Sequence, residues 1–448
     1  MAHVGWRISR TSQVVVLAVG VTLTLATVVS TAELLVPGVY AAGANPPVTI
    51  RFSEYPRPHE DEMLKGLLAK FTEQTGIQVK YEPVTDYTKM TTEMVAGTAP
   101  DVVCWWGADF RAWAEQGFLA DLDPYVQAQM KDDLPDFAPG QIRGFRYQGK
   151  LIGLPQYLGT VAVWYNRDMF DAGGLKYPGN DETWESMLTI ARKLTVSDGT
   201  KVSRWGWHIP MTLNDRLAYW VRQAGGEMQP PGDETKLTLD QPAALKAMHF
   251  LQDLVWKYKV SPTPADIQYK TVGDAFTAEM TAMGEDGSYL FSFIMPKVKF
   301  QVGLAPLAQG PGGRSTLATM DGYGMYTGSK HKDEAFALIR FLVSPYAMQV
   351  RALFQGLQPA RRSVGPEWAD LMAKAYPNTR SLYVKVFVDA MAYAEPEPFF
   401  VDNNVVSKLL YPALSAVFWQ NKMSPEQAMG QVVPQINAEL AQAAAKRK

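Results

Sequence analysis

The chain has 448 residues, which is enough for two or three domains rather than a single core. Apolar residues make up 47% and charged residues 20%, a composition that excludes disorder, and a net charge of −2 lacks the basic field that a nucleic-acid partner requires. The one cysteine, Cys104, excludes both an intrachain disulfide and a lipid anchor on an N-terminal cysteine.

Along the chain, Arg7 and Arg10 precede the uncharged run Val14 to Ser30, and small residues follow at Ala41 to Asn45. This is the pattern of an export signal. Residues 1–44 are expected to be removed, with cleavage after Ala42 or Ala44; an uncleaved anchor is the competing reading, for which the run is barely long enough.

From Val48 to Phe52 the residues alternate as in a strand. Glu62 to Thr75 then carries Met63, Leu64, Leu67, Leu68 and Phe71 at helical spacing, and Gly76 stops it. "IQVKYEPV" predicts a second strand, "DYTKMTTEMVAG" a second helix and "PDVVCW" a third strand. The β-α-β-α-β rhythm predicts a doubly wound α/β domain with a mostly parallel sheet. Ligands of such sheets sit beyond the carboxyl ends of the strands. The loop "EYPRP", with Tyr55, and the stretch "WWGAD", with Trp105, Trp106 and Asp109, therefore share one rim. If the strand persists, Trp106 points away from Trp105, towards a core.

"YQGKLIGLPQYLGTVAVWYNRDMF" reads as two extended runs, in which Tyr165 and Asn166 suit burial and a strand-to-helix turn. Thr183 and Ser186 suit the start of the helix "WESMLTIARKLT". In "WGWHIP", Trp205 and Trp207 share one face, as they would in a ligand site or in a buried strand. "FQVGLAPL" is extended, and "GYGMYTGS" is a last extended run that feeds the helix "KDEAFALIRFLVS". Mostly helices follow, the last opened by Ser424 with Gln427 placed to answer it.

No catalytic signature is present: no G-x-S-x-G turn, no H-E-x-x-H helix (since "HEDEM" lacks the second His) and no phosphate loop. Five scattered His and one Cys form no ligand cluster for a metal. No enzyme activity, metal or cofactor is expected, although paired carboxylates across a carbohydrate cleft would be the route to hydrolysis.

Six segments in order resemble the extracellular solute-binding proteins of sugar ABC importers, the cluster that includes maltose-binding protein. They are "GTAPDVV" with "AEQGFLADLDPYV", "GKLIGLP" to "TWESMLTIARKLT", "TAMGEDGSYLFSF", "VGLAPLAQGPGGR", "EAFALIRFLVS" and "GLQPARRSV". The resemblance implies an α/β, two-lobed periplasmic-binding-protein-like fold (type II), with mixed sheets flanked by helices and a ligand cleft between the lobes. It places residues 45–156 plus 305–329 in one lobe and 157–304 plus 330–448 in the other, with crossings near Gln156–Thr160, Leu304–Pro306 and Thr327–Lys330.

Sugars present C–H patches bordered by hydroxyls, so aromatic faces and polar side chains are the candidates for contact. These are Tyr55, Trp105, Trp106, Asp109, Tyr157, Trp205, Trp207, Asp215, Asp286, Tyr289, Asp321, Tyr323 and Arg361. In relatives the strand end at Trp105 bears a ligand-contacting aromatic, and the loop at Tyr289 places an aromatic towards the solute. The expected partners are a sugar and an ABC-transporter permease, the expected state is a monomer, and the expected location is outside the cytoplasm. A polyol, a glycerol-phosphate derivative or a peptide is the alternative cargo, with Arg57 and Arg361 as the cations a phosphate ester would use.

Overall fold

The computed structural model describes residues 47–57, 60–210 and 215–446. The export-signal and cleavage expectations lie outside them, as do residues 58, 59 and 211–214.

The chain opens with strand β1 (Thr49–Ser53), helix α1 (Glu60–Thr75), β2 (Gln78–Tyr81), helix α2 (Tyr87–Val95), β3 (Val102–Trp106) and helix α3 (Gly107–Glu115). Apolar spacing explains this start: α1 buries Met63, Leu64, Leu67, Leu68 and Phe71 against Ile50 and Phe52 of β1. Asp86 caps α2 by accepting a hydrogen bond from the Thr88 amide at 2.8 Å. The later strands that build sheets around the site are β4 (Leu154–Pro155), β5 (Val161–Asn166), β6 (Met283–Gly287), β7 (Val302–Ala305) and β8 (Asp321–Met325).

These strands form two sheets. The first has the order β2-β1-β3-β8-β4, with β1 parallel to β2 and β3, and β8 antiparallel to β3 and β4. The second has the order β6-β5-β7, with both outer strands antiparallel to β5. Every residue of β5 is buried, so its alternation serves two apolar faces rather than one apolar and one wet. Val161, Val163 and Tyr165 enter a core with Trp184, Trp207 and Trp220, whereas Ala162 and Trp164 enter another with Phe291, Trp368 and Phe387.

Two local expectations rest on polar side chains at helix starts. Thr183 and Ser186 form a reciprocal capping box at Trp184–Leu194. Before Pro425–Lys446, the Ser424 amide donates to Gln427 Oε1 at 3.0 Å and the Gln427 amide to Ser424 Oγ at 3.2 Å.

Segments distant in sequence share these cores. Helix Lys332–Leu342 buries Ala335, Phe336, Leu338, Ile339 and Leu342 in the core of the first sheet, together with Val343, Ala347 and Met348 that follow it. Conversely, Leu307, Ala308 and Leu317 lie in the core that contains Val163, Trp184 and Trp220. Strand Thr316–Ala318 pairs in parallel with Ala394–Pro396, a contact between segments far apart in sequence that no local pattern announces. Among the described residues, no helix is long and apolar enough to cross a membrane.

Candidate functional site

The rim of the first sheet is set by strand direction. β1 and β3 end there at Ser53 and Trp106, and antiparallel β8 begins there, with Asp321 paired to Trp106. Gly107 takes φ +55°, a left-handed conformation that glycine adopts without a Cβ penalty, and the chain turns directly from β3 into α3. Glu397 Oε1 lies 3.1 Å from where a Cβ on Gly107 would stand, so the segment after Ala394–Pro396 closes over this turn.

The two tryptophans of that rim stack, with ring centroids 4.4 Å apart and planes 9° from parallel. Tyr55 meets both edge-on, at 5.9 Å from Trp105 and 5.1 Å from Trp106. Trp105 is the inner ring, 3% exposed, and its indole N–H donates to Asp109 Oδ2 at 3.2 Å. Trp106 is the outer ring, 37% exposed. The expectation of Trp106 in a core is thus reversed, because strict strand alternation is lost at the last residue of β3. Burial raises the pKa of the Asp109 carboxyl, against the Trp105 hydrogen bond, which lowers it.

Beside the rings lies a buried ionic network. Glu54, fully buried, accepts from Arg351 Nη1 at 2.9 Å and Nη2 at 3.2 Å, and also from Gln156 Nε2. Arg57 donates to Gln156 Oε1 at 2.7 Å and to Asp321 Oδ1 at 3.2 Å, and its guanidinium lies 5.2 Å from the centre of the Tyr157 ring. Burial opposes the charge on Arg57, but Tyr157, Asp321 and Glu54 outweigh it and hold its pKa above the ordinary value. Burial raises the pKa of the Asp321 carboxyl, with Arg57 opposing.

A third cluster comes from the end of β6. Arg216 Nη2 donates to Asp286 Oδ1 at 2.9 Å and to the Tyr289 hydroxyl at 2.9 Å, and that hydroxyl in turn donates to Asp286 Oδ1. The Trp164 indole fixes the strand end by donating to the Asp286 carbonyl at 3.2 Å. Ser288 Oγ reaches the Leu158 carbonyl at 3.4 Å, so this loop touches the chain next to Tyr157. Burial and Asp321 raise the pKa of the Tyr157 phenol, and Tyr289 adds to the shift. Tyr157 therefore stands between the Arg57–Asp321 pair and the Arg216–Asp286–Tyr289 cluster.

Arg216, Asp286 and Tyr289 also line a cavity of about 360 Å³ with His208, Tyr269 and Trp419. Tyr269 is 80% exposed and follows Gln268, and both have left-handed φ values of 58° and 55° respectively. Such strain in non-glycine residues gathers at ligand clamps and turns. Burial lowers the His208 pKa to about 4, so the ring is neutral at neutral pH.

The structure brings Tyr55, Trp105, Trp106, Asp109, Tyr157, Asp286, Tyr289 and Asp321 into these neighbouring clusters. Trp207 and Tyr323 are wholly buried, Trp207 against Trp220 and Tyr323 with its hydroxyl accepting from Arg351. Trp205 packs in a small core with Ile267 and Ala275. Arg361 is held away from the site by the Val343 carbonyl at 2.7 Å and Asp133 at 2.9 Å, over the Phe137 ring. The side chain of Asp215 lies outside the described residues. Sequence reasoning missed Glu54, Gln156, Tyr269 and Glu397; of these, only Glu54 carried a signal, as the residue directly after the first strand. No group of His, Cys, Asp or Glu among the described residues is arranged to hold a metal ion.

The model of the family described as bacterial extracellular solute-binding proteins matches residues 57–349, well over half of the chain. The chain belongs to the bacterial extracellular solute-binding protein family. Among relatives of this solute-binding protein, one from Brucella abortus (strain 2308), named there only as a binding protein, is 26% identical over 297 residues, covering 64% of this chain and 68% of the relative. A "probable sugar-binding periplasmic protein" of Rhizobium meliloti (strain 1021) is 23% identical over 397 residues, covering 83% and 89% respectively. Among solved structures, an ABC substrate-binding protein from Listeria monocytogenes in complex with cycloalternan superposes with a TM-score of 0.75 at 25% identity, covering 88% of this chain and 100% of that one. The two-lobed α/β architecture of these binding proteins is the one described above.

Proposed function

We propose that this solute-binding protein captures a sugar or short oligosaccharide between its two lobes and delivers it to an ABC-transporter permease. The observation that carries the reading is the Trp106 ring, exposed on one face, backed by Trp105 and braced edge-on by Tyr55. A flat, supported aromatic face suits the C–H face of a pyranose, and nearby carboxylates and arginines suit its hydroxyls. The sugar-binding name of the Rhizobium relative and the cycloalternan of the Listeria structure support the same class.

Polar groups from both sides of the Tyr157–Leu158 segment converge on this region, so a bound sugar favours the closed arrangement, the only one in which it touches both lobes. The cavity behind Tyr289 gives additional sugar units a place to lie, with Tyr269 and Trp419 as apolar walls. The chain performs no covalent chemistry in this account. Three carboxylates of the region are committed to arginines, Glu54 to Arg351, Asp321 to Arg57 and Asp286 to Arg216. Export through the N-terminal segment, cleavage after Ala42 or Ala44 and a monomeric state complete the proposal.

A thermal-shift screen against mono-, di- and oligosaccharides, polyols, glycerol phosphates and peptides tests it. A ligand at one hundred times its dissociation constant stabilises a fold by about 2.7 kcal/mol. A shift with one saccharide class and no product is expected. Silence across sugars with a shift for a phosphate ester or peptide overturns the sugar assignment, and conversion of the ligand overturns the receptor reading.

A further inference from the structure

Strand Ala394–Pro396 leads into a short segment that passes between two cores. Ala394 and Phe399 are buried in the core of the first sheet, whereas the next residues, Phe400 and Val401, are buried in the core that contains Val163 and Trp220. In the middle of this passage stands an acidic residue, Glu397, between Pro396 and Pro398.

The segment is held on both sides of Glu397. Ala394–Pro396 pairs with Thr316–Ala318, Glu395 meets Arg143 at 2.6 Å, and the Pro396 carbonyl accepts from Arg222 Nη2 at 2.9 Å. Further on, the Arg111 guanidinium lies 5.6 Å from the centre of the Phe399 ring, and the Phe400 amide donates to Asn403 Oδ1 at 3.1 Å. Pro396 has a fixed φ, and Pro398 restricts the backbone of Glu397 itself. The carboxyl group is therefore presented from a stiff support.

That support puts Glu397 beside the outer tryptophan. A Cβ on Gly144 would stand 2.8 Å from Met320 Sδ and 3.1 Å from Pro396 Cβ, so Pro396 lies next to the residue that precedes Asp321, the β8 partner of Trp106. Glu397 then reaches Gly107, the residue directly after Trp106: its Oε1 and Oε2 lie 3.1 and 3.8 Å from the position of a Cβ there. The side chain is only partly buried, so solvent reaches it at the rim. Helix α3 also starts at Gly107, and a carboxylate at a helix amino end is favoured by the helix dipole, so a capping role is the competing explanation.

We infer, resting on the sugar reading above, that Glu397 is a sugar-binding residue that accepts hydrogen bonds from hydroxyls of the unit stacked on Trp106. An ionised carboxylate offers two acceptor oxygens, and its bonds to hydroxyls are stronger than those between neutral groups. The ring selects the C–H face of the sugar and the carboxylate selects the hydroxyls along its edge, which makes Glu397 a determinant of which sugar is held.

The test is calorimetric titration of the purified chain, and of Glu397→Gln and Glu397→Ala, with the saccharide found by the screen and with its monodeoxy analogues. Glu397→Gln is expected to weaken the saccharide about ten- to hundredfold and to move the melting temperature of the ligand-free chain by no more than about 2 °C. The loss is expected to shrink for analogues that lack a contacted hydroxyl. An equal loss with every analogue overturns the inference, because it places the effect in the backbone at α3 rather than in a hydroxyl contact. A lower melting temperature with unchanged affinity identifies a helix cap only and overturns it too. If Glu397→Ala fails to fold, Glu397→Gln, which keeps the side-chain volume, carries the test. No saccharide binding by the parent overturns the sugar reading and this assignment together, whereas saccharide binding that ignores both substitutions overturns this assignment alone.

Discussion

Replacing each ring of the stacked tryptophan pair by alanine separates packing from recognition. Trp105 is 3% exposed, contacts Tyr55, Tyr87, Trp106 and Trp113, and donates to Asp109. Trp105→Ala is expected to cost about 3–5 kcal/mol of stability, the range for a buried large aromatic. Trp106 is already 37% exposed, so Trp106→Ala loses mainly its stack on Trp105 and its edge contact with Tyr55. At about 0.5–1.5 kcal/mol for each of the two aromatic pairs, the expected cost is about 1–3 kcal/mol. The sugar meets the outer ring, so Trp106→Ala is expected to weaken sugar binding by at least tenfold, or about 1.4 kcal/mol. Denaturant unfolding gives the stabilities and calorimetric titration gives the affinities. Sugar affinity unchanged in Trp106→Ala, or a stability loss as large as that of Trp105→Ala, refutes the reasoning.

Other consequences concern buried charge and the second wall of the site. Glu285, buried beneath the Arg216–Asp286 pair and held by the Tyr219 hydroxyl at 2.7 Å, has its pKa pushed up from 4.5 to about 7 by burial. The folded chain therefore binds the extra proton between those values, and stability falls by about 3 kcal/mol as pH rises from 4.5 to 7. His208 acts oppositely: its pKa is lowered from 6.5 to about 4, so the unfolded chain binds the extra proton and stability rises over that range. The two cancel between pH 4.5 and 6.5 in the parent, whereas Glu285→Gln is expected to leave stability rising with pH; superimposable pH curves for variant and parent would sink this. Glu54→Gln breaks a buried pair with Arg351 and is expected to cost about 3–5 kcal/mol by denaturant unfolding; a loss below 1 kcal/mol would show that the network relaxes freely. Tyr269→Ala touches an 80% exposed ring and is expected to change stability by no more than about 0.5 kcal/mol while weakening longer saccharides more than short ones, a contrast that calorimetry reads directly.

The parts of this molecule legible in the sequence are those governed by local rules. The first five elements follow from apolar spacing, and the helix starts at Thr183 and Ser424 follow from side chains that reach only a few residues. The direction of parallel strands put Tyr55 and the tryptophan pair at one rim. Alternation was less informative where burial was complete: Trp207 has the period of a site residue, yet it is core, because a strand or loop buried on both faces carries no polar phase. Arg351 meets Glu54 across 297 positions and Glu397 covers Gly107, and no periodicity encodes such pairings. The amphipathic pattern of Lys332–Leu342 likewise shows that it packs but not against which sheet.

Small-angle X-ray scattering of the chain with and without the saccharide found by the screen tests capture between closing lobes most directly. Saturating sugar is expected to reduce the radius of gyration, and Trp106→Ala to shift that change to at least tenfold higher sugar concentration. Sugar that binds at saturation and leaves the scattering curve unchanged would contradict the account.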